Sequence, residues 1–221
     1  MPESLRETLE FLRQLRVNNN RQWFEVHRGQ YEHARGCFQD LVTDLIHQFD
    51  PVDDLAGVTA KDSMFRINRD VRFSNDKSPY KSNMGAVLGQ GGRKSTGRSY
   101  YFHIEPDGGS FLAGGLYDPS TDALGKMRAA IGENAKRFKQ IIHAPDFVQY
   151  FGTLSGDSLK TAPQGFAKDH PDIELLRLKQ YIASHKLSDE QLLSADLVPH
   201  VLAVYKAMKP LLIYIEGTVK T

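Results

Sequence analysis

The chain has 221 residues, 40% of them hydrophobic and 25% charged, which is the composition of a globular protein and excludes a disordered or collagen-like chain. The net charge of +1 argues against a nucleic-acid or membrane-binding field over the whole surface. The chain has one cysteine, Cys37, which excludes an internal disulfide. Its charged N-terminal residues do not resemble a signal peptide, and it lacks a long uncharged apolar run, so we expect a soluble cytoplasmic protein. We expect one domain spanning residues 1–221.

The first fifty residues carry two apolar runs at helical spacing. The first run, Leu5–Leu15, follows Ser4, which has a glutamate three residues later, as in a capping box. Three asparagines at positions 18–20 interrupt the pattern, and the second run extends from Trp23 to Phe49, before the Asp-Pro pair at 50–51. Two helices joined by a short polar turn usually pack antiparallel, so we expect an αα-hairpin with Ser4 as its N-cap.

The middle of the chain has the period-two alternation of β-strands. It predicts strands over residues 63–67, 83–88, 99–105 and 110–117. In the third strand an apolar set alternates with a more polar one: Tyr100, Phe102 and Ile104 against Tyr101, His103 and Glu105. The four residues Pro106–Gly109 have the length of a hairpin turn, so the last two strands should pair antiparallel.

Helical spacing returns after Pro119 and predicts mostly helices to the end of the chain. Exceptions are a loop over residues 155–171 and a strand over residues 181–185. The last helix covers residues 197–215 and contains Pro210, which we expect to kink it. This order predicts an α+β fold, an antiparallel sheet of about four or more strands packed with an N-terminal helical hairpin and C-terminal helices.

A local charge asymmetry is the most informative feature of the sequence. Residues 61–98 contain nine cations and three acids, a net charge of +6, so the rest of the chain carries −5. Guanidinium groups match the oxygens of phosphate and carboxylate, lysines add point charge, and a loop between strands is a common place for binding residues. We therefore expect an anion-binding cleft whose ligand contacts are Arg66, Arg69, Arg72, Lys77, Tyr80, Lys81 and Tyr101.

Two aspartates within the same loop leave a second interpretation open. Asp70 and Asp76 would pair with neighbouring cations and turn the cluster into a structural ion network. We expect a mixed result, in which Arg72 is structural while Arg66 and Arg69 face a ligand. If the protein is an enzyme, Asp70 or His103 is the candidate for proton transfer, because nearby cations would tune its pKa.

Two other motifs give only weak signals for a phosphate loop and for a metal site. The glycine-rich stretch 89–99 fails as a phosphate loop, because Arg93 stands where the motif needs glycine and a strand rather than a helix follows, so we expect a flexible basic hairpin loop. His103 and Glu105 share one face of a strand, but such polar pairs are common on half-exposed strands. We predict no metal ligands and identify no cofactor.

The leading functional interpretation is a cleft for a phosphorylated or carboxylated small molecule, which would be the substrate if the protein is an enzyme. The alternative is a non-catalytic interaction module that displays the loop around residues 78–81 or the glycine-rich loop to a partner. Nucleic-acid binding through residues 61–98, with Tyr100 and Tyr101 for base stacking, is disfavoured. The identity of the ligand and the oligomeric state stay open.

Several segments resemble the domain of unknown function 2461 family. The segments are NNRQWFEVHRGQYE at 19–32, FRINRDVRFSNDKSPYKSN at 65–83, YYFHIEPDGGSFLAGGLYDP at 100–119 and LKTAPQGFAKDHP at 159–171. The likeness covers nearly the whole chain, and RDVRF and DKSPYK are its specific motifs. The resemblance implies one domain of bacterial type without an established activity, so it assigns no catalytic residue.

Overall fold

A four-stranded antiparallel sheet in the order β1-β2-β3-β4 organises the computed structural model, which describes residues 2–49 and 51–220. The strands are β1 Met84–Leu88, β2 Tyr100–Ile104, β3 Ser110–Leu116 and β4 Tyr181–Leu187. In the central register Phe102 lies opposite Ala86 on one side and Leu112 on the other. The turn Pro106–Gly109 joins β2 to β3, which confirms the predicted hairpin.

Ten helices surround this sheet in the described part of the chain. They are α1 Pro2–Val17, α2 Arg21–Val26, α3 Arg28–His47, α4 Ala60–Ser63, α5 Thr121–Asn134, α6 Lys136–Ile142, α7 Pro145–Phe151, α8 Ile173–Leu176, α9 Asp189–Leu192 and α10 Leu197–Val219. The combination of these helices with an antiparallel sheet confirms the predicted α+β fold.

The N-terminal helices form the expected hairpin with two differences. Helix α1 begins at Pro2, so Ser4 lies inside its first turn and the predicted cap is wrong. The predicted second helix is broken at His27, which leaves the helical region (φ −103°, ψ 17°) while its ring hydrogen-bonds the Trp23 carbonyl at 2.8 Å. Asn20 caps α2 by accepting from the Trp23 N–H, α3 packs on α1, and the predicted end at Asp50 lies outside the described residues.

The helices cover the face of β2 that carries its apolar set. Tyr100 and Phe102 are fully buried; Phe102 lies 6.0 Å from Phe38 of α3, and Tyr100 lies 5.0 Å from Tyr205 of α10. The buried hydroxyl of Tyr205 donates to the Tyr101 carbonyl at 3.0 Å, so its polar atom is satisfied. The core therefore lies between one face of the sheet and helices α3 and α10.

Helix α10 is long and apolar enough to cross a membrane by length and composition alone. Its buried residues recur at helical spacing, however, and pack into the core against β3 and α5: Val201, Val204, Tyr205, Met208, Leu211, Leu212 and Ile215 are among them. The helix continues through Pro210 and ends at Val219. The buried face makes α10 a core helix of this fold.

The predicted strand over residues 63–67 is wrong. Thr59 and Asp62 form a capping box that starts the short helix α4, and the chain then pairs with β1 at an isolated bridge from Met64 to Ala86 instead of forming a strand. Phe65, inside the predicted strand, is 41% exposed. A second bridge, Asn68 to Tyr80, closes the loop that carries the basic cluster.

Candidate functional site

The polar set of β2 faces away from the helices, on the less covered side of the sheet. His103 is nearly buried there because its ring stacks on Phe111 of β3 at 4.5 Å. Tyr101 and Glu105, two residues to either side, lie on the same face because side chains alternate along a strand. Ala113 and Ser184, also on this face, are partly accessible, so the site opens towards solvent.

Tyr101, His103 and Glu105 form a hydrogen-bonded chain along the strand. The Tyr101 hydroxyl lies 3.0 Å from Nδ1 of His103, and Nε2 of His103 lies 3.1 Å from Oε2 of Glu105. A carboxylate only accepts, so Nε2 donates to Glu105, and Nδ1 of a neutral ring then accepts from the Tyr101 hydroxyl. Arg16 of α1 approaches the other oxygen of Glu105 at 3.6 Å and holds the end of the chain.

The surroundings keep both Tyr101 and His103 neutral. Burial lowers the pKa of His103, its bond to Glu105 opposes this change, and nearby Lys81 lowers the pKa further. Burial, with smaller contributions from Glu105 and Tyr117, raises the pKa of Tyr101 to about 12. A neutral imidazole next to a protonated phenol is the protonation state that the hydrogen-bond order requires.

Gly85 of β1 provides the space for the Tyr101 hydroxyl. A side-chain Cβ at position 85 would lie 2.6 Å from this oxygen and 3.0 to 3.1 Å from the ring carbons beside it. The phenol leans across β1 towards His103 because the neighbouring strand has no side chain there.

Three of the five predicted anion-binding cations are engaged inside their own loop. Arg69 pairs with Asp76, and Arg72 donates two hydrogen bonds to Asp70, of 2.6 and 2.9 Å. Lys77 donates to the Val71 carbonyl at 3.0 Å. These contacts are the ones that the structural ion network interpretation predicts. Arg69 is thus paired, where we expected it to face a ligand. The Arg72 pair, expected to be structural, is largely exposed, with 76% of the arginine side chain accessible.

The other two cations, Arg66 and Lys81, form no ion pair within residues 2–49 and 51–220. Lys81 places its Nζ 5.5 Å from the centre of the Phe65 ring, and that ring packs edge-on against Tyr101 at 6.1 Å. Burial, together with the nearby charge of Arg66, lowers the pKa of Lys81. The loop therefore brings Lys81 to the hydrogen-bonded chain of β2, with the charge of Arg66 close to Lys81. We call this group the open-face site: Phe65, Arg66, Lys81, Tyr101, His103 and Glu105.

Two other predicted site residues lie elsewhere. Tyr80 is buried, stacks on Phe24 at 3.9 Å and is held through its backbone by Asn19, so its ring faces the helical hairpin. Asp70 is exposed and occupied by Arg72. Of the two candidates for proton transfer, the structure brings only His103 to the open-face site.

The sequence interpretation missed a second charged cluster, around Arg98. The guanidinium binds Asp53 with two hydrogen bonds, of 2.8 and 3.1 Å, and also bonds Glu216 of α10. A polar cavity of about 250 Å³ lies beside them, lined in part by Tyr100 and Lys220. The partners of Arg98 are 45 and 118 positions away, so no local sequence pattern reveals them.

The same cluster attaches the glycine-rich loop to the protein body. Besides Arg98, Arg93 donates to the Met64 carbonyl and Gln90 donates to Asp54 at 3.0 Å. The loop does join β1 to β2 as a hairpin connection, as expected, and it carries a short 3₁₀ turn at Gly92–Lys94. Among the described residues, no group of three or more His, Cys, Asp or Glu side chains is arranged to hold a metal ion.

A family model described as a conserved hypothetical protein, DUF2461, matches residues 7–214. The chain belongs to this family. The match confirms the family resemblance, and it covers the whole open-face site. No curated protein and no solved structure matches the chain. Since the family description names no activity, the function is argued from the site alone.

Proposed function

We propose that the protein binds a small anionic molecule, through a phosphate or carboxylate group, at the open-face site. The observation that carries the proposal is the contrast within one loop. Arg69, Arg72 and Lys77 each have a bonded partner inside the loop, whereas Arg66 and Lys81 are near one another and neither forms an ion pair in the described residues. The charge of Arg66 helps to lower the pKa of Asp70, but that carboxylate is already bound by Arg72.

Unpaired like charges held close together cost free energy, and a bound anion would offset that cost. The half-buried position of Lys81 strengthens the argument, because a partly desolvated ammonium gains more from a counter-charge than an exposed one does. Phe65 and Tyr101 give the same site an apolar wall, so the ligand would be an organic anion rather than a bare ion.

The arrangement also bears on nucleic acid and on location. Nucleic-acid binding needs a track of cations along several phosphates, and Arg69, Arg72 and Arg98 are already paired with acidic side chains. We therefore favour a small molecule as partner.

The soluble fold and lone thiol support a cytoplasmic location for this activity.

The proposal is tested by thermal unfolding with inorganic phosphate and a panel of phosphorylated and carboxylated metabolites, against sodium chloride of equal ionic strength. A ligand at a hundred times its dissociation constant stabilises the folded state by about 2.7 kcal/mol. Arg66→Met and Lys81→Met should abolish the stabilisation, whereas the matched variants Arg72→Met and Lys77→Met should retain it. A flat response to the whole panel, or equal losses in all four variants, contradicts the proposal.

A second candidate function is supported by Phe73. Its side chain is 97% exposed in a loop whose cations are paired on either side, which is how an interaction module would present an aromatic anchor. In that case Phe73→Ala would weaken binding of a partner protein, and Arg66→Met and Lys81→Met would not.

A further inference from the structure

The hydrogen-bonded chain on β2 gives the Tyr101 hydroxyl a defined route for its proton. Nδ1 of His103 accepts from Tyr101, and Nε2 donates to Glu105, so the imidazole has one nitrogen ready to take a proton and a carboxylate behind it. This is the donor order of a nucleophile, a base and an orienting carboxylate, with a phenol as the nucleophile.

The packing around His103 holds this order in place. The ring stacks on Phe111 at 4.5 Å, which opposes rotation, and Glu105 is itself approached by Arg16 at 3.6 Å. An imidazolium formed here would lie beside a carboxylate that is already in position, so the proton transfer needs no rearrangement of the site.

Resting on the anion site proposed above, we propose that Tyr101 is a nucleophile that attacks an electrophilic acyl or phosphoryl group of an anionic compound held by Arg66 and Lys81. His103 is its general base, and Glu105 is the residue that positions the base. The cations supply the charge that draws the substrate to the phenol. Lys81 lies over the Phe65 ring, and that ring packs against Tyr101, so the positive charge is near the phenol.

The chemical step is balanced by the groups at the site and water. The Tyr101 oxygen forms a bond to the electrophilic centre, the leaving group departs with its bonding electron pair, and the phenolic proton moves to Nδ1 of His103. In the second step water attacks the same centre, the bond to Tyr101 breaks, and the proton on His103 returns to the phenolate oxygen while water loses one proton to solvent.

The test uses 4-(fluorosulfonyl)benzoate, an anionic probe whose sulfonyl fluoride reports an activated phenol. The Tyr101 oxygen bonds to sulfur, fluoride leaves, and the proton goes to His103; peptide mass spectrometry then locates the label. Tyr117 is the internal control, because its side chain is 76% exposed and the hydrogen bonds of the relay join only Tyr101, His103 and Glu105. We expect Tyr101 to be labelled at least tenfold faster than Tyr117 despite its deeper position.

Three substitutions test the relay. His103→Gln should slow labelling of Tyr101 by tenfold or more, and Glu105→Gln should slow it by a smaller factor. Neither substitution should change the labelling of Tyr117. Gly85→Ala should also slow the labelling of Tyr101, because the added methyl group would lie 2.6 Å from the Tyr101 hydroxyl and displace it from His103. Unchanged labelling of Tyr117 and an unchanged circular dichroism spectrum show that each variant is folded, and a poorly folded His103 variant leaves the Glu105 and Gly85 variants to decide.

The relay and the anion site can fail separately. Labelling of Tyr101 that is unaffected in the folded relay variants, or a label on Lys81 instead, overturns the relay even where phosphate still binds. Arg66→Met and Lys81→Met should slow labelling by the anionic probe but not by uncharged benzenesulfonyl fluoride. Labelling by the anionic probe that stays as fast in these variants as in the wild type, with no competition by phosphate, overturns the anion site while the relay stands.

Discussion

Replacing Arg98 by methionine removes a guanidinium that joins two distant parts of the chain. Arg98 binds Asp53 through Nε at 2.8 Å and Nη2 at 3.1 Å, and it also bonds Glu216. The two carboxylates are mostly buried, with 10% and 20% of their side chains exposed. Methionine keeps much of the apolar stem and removes the charge, so the variant isolates the electrostatic contribution.

The expected loss lies between two limits. Breaking a fully buried ion pair by removing one partner costs about 3–5 kcal/mol, whereas an exposed pair contributes about 0–1 kcal/mol. Some donors survive the change, since Asp53 keeps the Tyr100 hydroxyl at 3.1 Å and Glu216 keeps Lys220 at 2.6 Å. With Arg98 itself about one-third exposed, we expect a loss of about 2–3 kcal/mol, out of a typical margin of about 5–15 kcal/mol.

The assay is urea unfolding at pH 7, with Arg72→Met as the matched control. Arg72 also forks onto an aspartate in the same basic segment, but that pair is largely exposed, so its loss should be too small to measure. Equal destabilisation by Arg98→Met and Arg72→Met would refute the reasoning, because burial of the carboxylates would then make no difference.

A pH series gives a second check on the same variant. Burial opposes ionisation of Asp53, but its hydrogen bonds with Arg98 and the Asp54 N–H outweigh this and leave its pKa lowered. Lys220, and then Arg98, lower the pKa of Glu216. Lowered carboxyl pKa values contribute stability above the unfolded values, near 4, that is lost as the pH falls through the folded values. The gap between wild type and Arg98→Met should therefore shrink below about pH 4, and a constant gap down to pH 3 would assign the loss to packing.

Two other predictions concern single positions. Gly36→Ala should stabilise the protein by about 0.5–1 kcal/mol in urea unfolding, because Gly36 lies on the exposed side of α3 with nothing near its added methyl group. Gly115→Ala should instead destabilise the protein by more than about 2 kcal/mol, because Gly115 has φ +137° and its methyl group would meet the Tyr181 carbonyl. By NMR, His103 should titrate below its ordinary pKa of about 6.5, with the free energy of unfolding falling as the pH drops below that value, and Glu105→Gln should lower the His103 pKa further. Equal effects of the two glycine substitutions, or a His103 pKa at or above 6.5, would contradict these expectations.

Local sequence patterns determined the elements whose partners are near in sequence or whose period is strict. The alternation in β2 identified its buried set, Tyr100, Phe102 and Ile104, since a strand with one covered face places every second side chain in the core. The four-residue turn at Pro106–Gly109 determined the β2–β3 hairpin in the same way. Residues 63–67 misled because a capping box, a local interaction of another kind, outweighed a short alternation.

The tertiary structure alone decided which charged residues are free and which are paired. Composition located the basic loop, but Arg69 and Lys81 have the same charge in the sequence. In the folded protein Arg69 pairs with Asp76, whereas Lys81 lies over the Phe65 ring. The partners of Arg98 lie 45 and 118 positions away in the sequence. Lys81 comes near Tyr101 because both contact the Phe65 ring in the folded chain. Electrostatic partners are chosen by distance in space, which periodicity and composition do not encode, so the sequence identifies a charged segment and the fold determines what it can bind.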